Sequence, residues 1–467
     1  MSMRKRIAIV GSGISGLVAT YFLGQRHDVT LFEQNLYVGG HTNTIDVSGP
    51  NDTTIPVDTG FIVFNDRTYP GFNRLLDHLG IEALNTTMSF SVQCGRTGIE
   101  YCGSSLNGLF AQRRNLLRPS FYKFLSDFRR FGKQAGEILN GEHPEMTVGE
   151  FFRRNRYGEA FYQRYFLPMG ASIWSCPTGI FEEFPIQFIA RFYHHHGLLG
   201  VRNRPQWKVV RGGSRQYVNA ICRRLANEVA TGLEVTSVRR THGESATPII
   251  RVEGVRRPSG ERFVDQFDHV VLACHADQAM QLVQPPADSW EQHLLKQFPY
   301  QPNIAVLHTD ESVMPRSRRA WAAWNYAIPK PTTEDAGQPA ATLTYDMNCL
   351  QRLGMQQTDG KNYFVTLNSR DQIADNHVLR EIQYAHPVFQ LGRDEAQANH
   401  DRVIDIDGLS YCGAYWGNGF HEDGVQSALR VCKKLLGSDP WKLLSTSATS
   451  STAAKLRPSI DSAIAYS

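Results

Sequence analysis

The sequence lacks the marks of a membrane-spanning, zinc-binding or disulfide-stapled protein. Its 467 residues include only eight cysteines, which are scattered and never spaced C-x-x-C. Scattered thiols of this kind are typical of a cytosolic protein that keeps them reduced. No run approaches the ~18 apolar residues of a membrane span, and the apolar run at residues 7–10 stops at Gly11, too short for a signal peptide. We therefore expect a cytoplasmic protein that at most touches a membrane surface.

An excess of charge of one sign is also missing. The 49 basic and 45 acidic residues leave a net charge of +4, which is too mild to indicate nucleic-acid binding. A hydrophobic fraction of 41% and a charged fraction of 20% are those of an ordinary soluble protein. The length predicts two or three domains.

The chain opens as a strand, a glycine turn, a helix and a second strand. Residues 7–10 form a fully apolar run, as expected of a parallel strand that is buried on both faces, and residues 28–33 continue as the second strand. Strand-like segments return between residues 207 and 273 and again at 410–414. Residues 110–164 between them have helical spacing. One domain is therefore expected to be assembled from three separated blocks, and the insertions are expected to build another.

The glycine turn fits the dinucleotide-binding pattern G-x-G-x-x-G. It reads Gly11-Ser12-Gly13-Ile14-Ser15-Gly16, and it follows a strand and opens a helix, as the pattern requires. The helix start would face a pyrophosphate with its N–H groups. Glu33 ends the second strand, where a carboxylate accepts hydrogen bonds from both ribose hydroxyls. These features predict a dinucleotide site; the alternative is a glycine-rich turn followed by a chance glutamate.

A second pair of motifs resembles the flavin amine oxidase and phytoene desaturase superfamily. Gly39-Gly40-His41 follows Glu33 closely, and Asp58-Thr59-Gly60 comes next. Segments at 211–214, 233–238, 268–273 and 411–428 resemble the later flavin motifs in the same order. The resemblance implies a Rossmann-type FAD-binding domain with an inserted α+β substrate domain, and FAD as the cofactor. It departs at His41, where arginine is commoner, so that a charged phosphate contact there is in doubt.

Resemblance and motif together imply a set of cofactor contacts. Val235 would contact the adenine through its backbone, and the helix start near Gly424 would face the pyrophosphate or the flavin. Asp423 is expected to cap that helix, with a water-mediated cofactor contact as the alternative. The expected contacts are Gly11, Ser12, Gly13, Ile14, Ser15, Gly16, Glu33, Gly39, Gly40, His41, Thr42, Asp58, Thr59, Gly60, Val235, Ala273, Gly413, Asp423, Gly424 and Val425.

The same resemblance sets the expected domains of this α/β protein. The FAD-binding domain is predicted at 1–90, 206–283 and 406–440. The substrate domain, with its helical insert, is predicted at 91–205 and 284–405. A mobile tail is predicted at 441–467, which is rich in Ser, Thr and Ala.

Some segments resemble a narrower bacterial group of amine-oxidase-like proteins that accompany cyclopropane-fatty-acyl synthases. They lie at 168–175, 196–199, 204–207 and 307–310. This likeness implies a fatty acyl or lipid substrate and a lipid-modifying enzyme as a partner. An amine oxidase that releases peroxide, and an FAD-stabilised non-catalytic partner of such an enzyme, are the alternatives.

His421 is the candidate catalytic residue. Amine oxidases hold the substrate nitrogen between two aromatic rings, and His421 stands where one of these rings is expected. We predict that His421 faces the flavin and takes or relays a proton; the alternative is a hydrogen bond within the loop or to the cofactor. Lys208 and Lys330 are candidates for an active-site lysine by residue type alone. An apolar channel is predicted from Trp174, Trp207, Trp321, Trp324, Tyr326, Tyr415 and Trp416.

Two further tracts are interpreted from their charge. Histidines 194–196 are adjacent, so their side chains point in different directions on a helix, and we predict no metal site there. Residues 110–133 carry seven basic residues against the single carboxylate of Asp127, interleaved with Phe and Leu. Such a stretch predicts either contact with an anionic membrane or a solvated helical face.

Overall fold

The computed structural model describes residues 4–95, 97–103, 105–141, 146–174, 176–199, 204–225, 229–241, 249–285, 289–329, 342–390 and 392–447. Lys330 and residues 448–467 of the predicted tail lie outside the described residues. Within them, no helix is both long enough and apolar enough to cross a bilayer.

The β-strands of the described residues are numbered in chain order. They are β1 (Arg6–Val10), β2 (Asp28–Phe32), β3 (Thr44–Ser48), β4 (Thr54–Asp58), β5 (Phe64–Asn65), β6 (Ala83–Asn85), β7 (Phe90–Cys94), β8 (Ile99–Cys102), β9 (Trp207–Val210), β10 (Leu233–Thr241), β11 (Ile249–Arg256), β12 (Glu261–Phe267), β13 (His269–Leu272), β14 (Tyr300–His308), β15 (Trp324–Ile328), β16 (Thr342–Asp346), β17 (Phe364–Leu367), β18 (Val378–Pro387), β19 (Ile404–Ile406) and β20 (Leu409–Tyr411).

The α-helices are numbered in the same way. They are α1 (Ile14–Leu23), α2 (Pro70–Leu79), α3 (Leu106–Leu109), α4 (Pro119–Leu139), α5 (Val148–Asn155), α6 (Glu159–Phe161), α7 (Leu167–Ile173), α8 (Thr178–Glu182), α9 (Ile186–His195), α10 (Arg215–Cys222), α11 (Ala276–Leu282), α12 (Ser289–Leu295), α13 (Met347–Leu350), α14 (Met355–Thr358), α15 (Arg393–Ala398), α16 (His421–Leu436) and α17 (Pro440–Ser447).

A five-stranded sheet carries the opening motif. Its order is β19-β20-β13-β1-β2, and β1 pairs in parallel with both β2 and β13. The apolar run at residues 7–10 is buried on both faces, because α1 and α16 cover one side and β10 to β12 lie near the other. The strands come from all three blocks that the sequence separates. The α/β fold class is therefore confirmed, while the boundaries of the domains stay a prediction.

The insertions build a second sheet and a helical layer. The second sheet has seven strands in the order β18-β14-β17-β16-β15-β7-β8 and is antiparallel except where β15 pairs with β7. The helical spacing of residues 110–164 is confirmed by α4 and α5. Phe121, Phe124 and Phe131 of α4 are buried at spacings of three and seven residues, which places them on one face of the helix.

The chain after residue 420 is more helical than the sequence suggests. The pattern indicates a helix from residue 425, but α16 begins at His421, since Phe420 has extended backbone angles and Asp423 accepts a hydrogen bond from its N–H at 2.9 Å. The predicted tail starts inside α17. The Trp441 ring there lies 4.9 Å from the Phe22 ring, and the Arg74 guanidinium covers it at 4.3 Å.

Candidate active site

The glycine turn between β1 and α1 has the geometry of a pyrophosphate cradle. Gly11 has φ +102°, in the left-handed region that favours glycine. A Cβ on Gly16 would lie 1.8 Å from the carbonyl oxygen of Gly11, so that only glycine lets α1 pack this closely. A Cβ on Gly13 would meet no atom within 4 Å. Gly13 therefore turns an open backbone face towards the neighbouring cavity, where an anion can approach the start of α1.

Glu33 is buried and holds the loops of this cradle together. Its Oε2 accepts hydrogen bonds from the Ser12 N–H at 3.0 Å and the Ser12 hydroxyl at 2.6 Å. Its Oε1 accepts from the Asn35 N–H and side-chain amide at 2.8 and 2.9 Å. The Ser12 hydroxyl in turn accepts from the Gly39 N–H at 3.1 Å. A ribose diol that bonds Glu33 would have to share the carboxylate oxygens with Ser12 and Asn35. The sequence alone did not indicate these two partners.

A cavity of 1630 Å³ runs from this cradle to the helical layer. Single ligand pockets usually measure about 300–1,000 Å³, so the cavity has room for a dinucleotide together with a substrate. Fourteen of the predicted site residues line it. They are Gly11, Ser12, Gly13, Ile14, Ser15, Glu33, Gly39, Gly40, His41, Gly60, Val235, Ala273, Gly413 and His421.

The other predicted contacts lie behind the cavity wall. Gly424 allows α16 to approach α1, since a Cβ there would lie 2.6 Å from the Ile14 side chain. Thr59 bonds the Asn43 carbonyl and the Tyr384 hydroxyl, both at 2.9 Å. The seven residues in this position are Gly16, Thr42, Asp58, Thr59, Asp423, Gly424 and Val425. Cofactor contact from them stays a prediction.

Asp58 anchors several elements beneath the site. Its buried carboxylate accepts hydrogen bonds from the hydroxyl of Thr44 at 2.6 Å and from the N–H and hydroxyl of Ser214 at 2.9 and 2.8 Å. The Gln351 amide adds a bond at 3.2 Å. Burial raises the pKa of Asp58 to about 6 in spite of these bonds. The carboxylate thus joins β3, β4 and the start of α10 below the predicted flavin turn.

His421 lies at the first position of α16 and faces the cavity. Its Nε2 is 3.0 Å from the Thr42 hydroxyl and 2.9 Å from the Tyr217 hydroxyl. Its ring stacks on Phe61 with the centroids 3.4 Å apart. Burial lowers the pKa of His421 well below its usual value. The imidazole is therefore uncharged at neutral pH, held in one orientation by two hydroxyls and one aromatic face.

Three histidines meet beside the glycine doublet, and no sequence motif points to two of them. The His41 ring lies 6.1 Å from that of His275 and 5.2 Å from that of His386. Burial lowers the pKa of His41 and His275 to about 4 and that of His386 to about 3. Only folding brings β18, the end of β13 and the turn after Gly40 together, so no local pattern reveals the cluster.

The pyrophosphate side of the cavity fits FAD. His41 Nε2 is buried and has no hydrogen-bond partner among the described residues, although its residue lines the cavity next to Gly40. A buried polar atom of this kind needs a partner, and a bound dinucleotide would supply one. His41 thus replaces the expected arginine with a neutral donor or acceptor.

The far end of the cavity is apolar. Of the predicted channel aromatics, Trp207, Trp324 and Tyr415 line the cavity, whereas the other four pack elsewhere. Trp174 belongs to the aromatic core, with its ring 4.8 Å from Phe192. Six residues that the sequence did not predict as channel residues also line this end: Phe90, Tyr165, Met169, Ile173, Phe192 and Phe420.

Charged residues are unevenly distributed along the cavity. Among the described lining residues the carboxylates are Glu33 and Glu234, both at the cradle end, and Arg204 is at the apolar end. Lysine is missing from this lining, and Lys208 lies on β9 outside it. Burial raises the pKa of Tyr165 to about 12, against the opposing pull of the Arg204 charge. Arg204 is an exposed residue of the lining whose charge acts on a group at the apolar end.

Comparisons with known proteins agree with a flavin cofactor. Residues 14–436 match the model of the flavin containing amine oxidoreductase family. No curated protein sequence matches the chain significantly. A putrescine oxidase solved with putrescine bound is 13% identical, with a TM-score of 0.63 over 93% of this chain and 99% of that chain.

Two other solved structures have the same fold. A cyclohexylamine oxidase from Brevibacterium oxydans is 15% identical, with a TM-score of 0.63 over 93% of this chain and 100% of that chain. A CLA-producing fatty acid isomerase from P. acnes is 14% identical, with a TM-score of 0.61 over 94% of this chain and 99% of that chain. At such identities the likeness concerns the fold alone.

Proposed function

The chain belongs to the flavin-containing amine oxidoreductase family, and within that family we propose that it dehydrogenates the acyl chain of a fatty acid or lipid. It is an FAD-dependent oxidoreductase. Bound FAD supplies an acceptor for two electrons. In the proposed reaction one C–H bond of the chain breaks with its electron pair leaving as hydride. The neighbouring carbon loses a proton, and a C=C bond forms.

The charge of the apolar end carries the proposal. An amine substrate binds as, or in exchange with, an ammonium ion, for which a carboxylate is the natural partner. The described lining there offers no carboxylate but does offer Arg204, whose fork of donors suits a carboxylate. A fatty acid would place its head at Arg204 and its chain among Tyr165, Met169 and Phe192. The fold is also found in a fatty acid isomerase, which supports the same substrate class.

His421 is the group that we propose for the proton. An imidazole must be uncharged to accept a proton, and burial keeps His421 in that form, with its pKa well below the usual value. The hydroxyls of Thr42 and Tyr217 bond its Nε2 and offer a route for passing the proton on. The Phe61 ring stacks on the imidazole and fixes its plane. His421 is therefore not free to rotate.

Anaerobic mixing of the FAD-loaded protein with candidate substrates tests the proposal. Free fatty acids or lipids are expected to bleach the flavin and to yield products lighter by two hydrogens. Bleaching by amines with release of peroxide on reoxidation would identify an amine oxidase instead. Flavin that no fatty acid or lipid reduces would refute the proposed dehydrogenation of an acyl chain.

Arg204→Gln sharpens the test. A charge-assisted hydrogen bond is worth about 1.5–3 kcal/mol, so the variant is expected to raise KM for a free fatty acid by about ten- to a hundredfold. KM for the methyl ester of the same acid should stay unchanged, because the ester has no charge to lose. Arg262→Gln is the control, because Arg262 is also exposed but lies on β12 outside the cavity lining. An equal rise in KM for the acid and for the ester would show that Arg204 does not bind the substrate carboxylate.

A further inference from the structure

The apolar side chains exposed on the surface are concentrated in one short stretch. Four of the eleven large hydrophobic side chains that are exposed in the described residues fall between 106 and 122. Leu106 and Leu117 are the extreme cases, 77% and 87% exposed, with Leu116 at 45% and Tyr122 at 51%. Single exposed apolar residues are ordinary, whereas a cluster marks a contact surface.

Hydrogen bonds fix these side chains into one surface. The Arg113 guanidinium donates to the Asn107 side-chain oxygen at 2.6 Å, which ties the turn at Arg113–Leu117 to α3 next to Leu106. The Tyr122 hydroxyl donates to the Leu116 carbonyl at 2.8 Å, which ties the same turn to α4. We call the exposed side of residues 106–123, which comprise α3, this turn and the start of α4, the basic-apolar surface.

Positive charge surrounds the apolar side chains. Arg113, Arg114, Arg118 and Lys123 belong to the surface, and no acidic residue occurs from 101 to 126. Among the described residues, the three arginines have no carboxylate within salt-bridge distance. Lys123 lies 3.9 Å from Asp127, which is buried and also faces Arg130 at 3.8 Å.

The neighbouring segment adds to this charge. Glu100 is buried and accepts a hydrogen bond from the Ser317 N–H at 3.0 Å, so that residues 316–319 pack beside α3. Arg316 and Arg319 there are exposed. Arg318 is paired with Glu311 at 2.5 Å. The exposed leucines therefore lie among cationic side chains from two segments of the chain.

We propose that the basic-apolar surface binds the anionic face of a phospholipid bilayer. Apolar side chains that insert below the headgroups, ringed by arginines that meet lipid phosphates, are the features of a peripheral membrane surface. An acidic protein would pair with the arginines but would leave Leu106 and Leu117 in water. The bilayer is the partner that satisfies both kinds of side chain.

The surface lies close to the apolar end of the cavity. The Phe121 ring is 5.7 Å from Phe124, and Phe124 is 5.6 Å from Tyr165, which lines the cavity together with Gly103. Gly103 lies three residues before Leu106, where α3 begins. This aromatic layer lies between the surface and the apolar end of the cavity. Delivery of substrate from a bilayer rests on the proposed acyl substrate, whereas the membrane surface rests on exposure and charge.

Vesicle co-sedimentation of the full-length, FAD-loaded protein tests the surface. At about 0.05 M salt, where charges act over about 13 Å, the protein is expected to pellet with vesicles that contain phosphatidylglycerol. It should not pellet with pure phosphatidylcholine. High salt should release much of the bound protein. A protein that stays in the supernatant with the anionic vesicles at low salt overturns the proposal.

Matched variants locate the contact. Leu106→Asp with Leu117→Asp is expected to weaken vesicle binding at least about tenfold, since the burial of a single leucine is worth about that factor. Met355→Asp is the control, because Met355 is also 77% exposed but lies on α14. Arg113→Glu is compared with Arg262→Glu in the same way. Retained yellow colour and circular dichroism show that each variant is folded. Equal loss in test and control variants would refute the assignment.

The membrane surface and the proposed function fail separately. If soluble fatty acids bleach the flavin and the leucine variant binds vesicles as the parent does, the surface is refuted and the function stands. If vesicles bind through the surface but no acyl chain reduces the flavin, the function is refuted and the surface stands.

Discussion

Gly13 and Gly16 lie three residues apart but must be glycine for different structural reasons. Alanine substitution at each position distinguishes the two reasons. A Cβ at Gly16 would lie 1.8 Å from the Gly11 carbonyl oxygen, a backbone atom that cannot rotate away. A Cβ at Gly13 would meet nothing within 4 Å and would point into open space at the cradle. The same added methyl group should therefore damage folding at one position and cofactor binding at the other.

The magnitudes follow from these contacts. Overpacking lowers the free energy of unfolding by about 1–3 kcal/mol or more. The higher helix propensity of alanine offsets about 1 kcal/mol of this loss. With a contact this short, Gly16→Ala is expected to lower the free energy of unfolding of the apoprotein by about 2 kcal/mol or more. Gly13 has φ −61° and ψ 177°, which alanine adopts without strain, so Gly13→Ala should change stability by under about 1 kcal/mol.

Cofactor affinity should respond in the other order. The methyl group of Gly13→Ala would occupy the space through which a pyrophosphate approaches the backbone, and FAD affinity is expected to fall at least about tenfold, or about 1.4 kcal/mol. Urea unfolding of the apoproteins measures stability, and titration of flavin fluorescence measures affinity. Parental FAD affinity in Gly13→Ala, or parental stability in Gly16→Ala, would refute the reasoning.

Three other predictions concern buried polar groups. Asp58→Ala is expected to lower the free energy of urea unfolding by about 3 kcal/mol, because it leaves buried donors of Thr44 and Ser214 without an acceptor; a loss under about 1 kcal/mol would contradict the anchoring role. His421→Ala is expected to slow anaerobic flavin reduction by substrate while FAD stays bound, and an unchanged rate would leave His421 a structural role. Burial lowers the pKa of His386 to about 3, so its contribution to stability is present above the unfolded value of about 6.5 and is lost as pH falls towards 3. Between about pH 3 and 6.5, His386→Gln should reduce the slope of the unfolding free energy against pH by up to about 1.4 kcal/mol per pH unit. An unchanged slope would refute the prediction that His386 is buried in its neutral form.

Local patterns revealed the cradle because its geometry is local. The apolar run before Gly11, the glycine spacing and Glu33 lie within one strand-turn-helix-strand unit, where short-range sterics and backbone hydrogen bonding dictate structure. The unit forms as predicted, with β1, α1 and β2 in place. The start of α16 was misplaced by four residues, because Asp423 bonds the Phe420 N–H and so extends the helix to His421.

The histidine cluster and the exposed leucines could not be found in this way. His41, His275 and His386 are far apart in sequence, and their common environment arises when β18 crosses beside the glycine doublet. Leu106 and Leu117 look like core residues by composition, and only the packing of α4 shows that Phe121 and Phe124 fill the core instead. Burial of a side chain depends on which other segments arrive to cover it.

The order of residues along the chain is enough to predict a dinucleotide site and, by resemblance, to predict that the dinucleotide is FAD. Packing between distant segments sets what lines the cavity: an uncharged His421 held by Thr42 and Tyr217, an apolar end with Arg204 and, among the described lining residues, carboxylates at the cradle end alone. The physical reason is the range of the interactions. Backbone conformation is set by neighbours in sequence, whereas desolvation, pKa and the sign of charge in a cavity are set by neighbours in space.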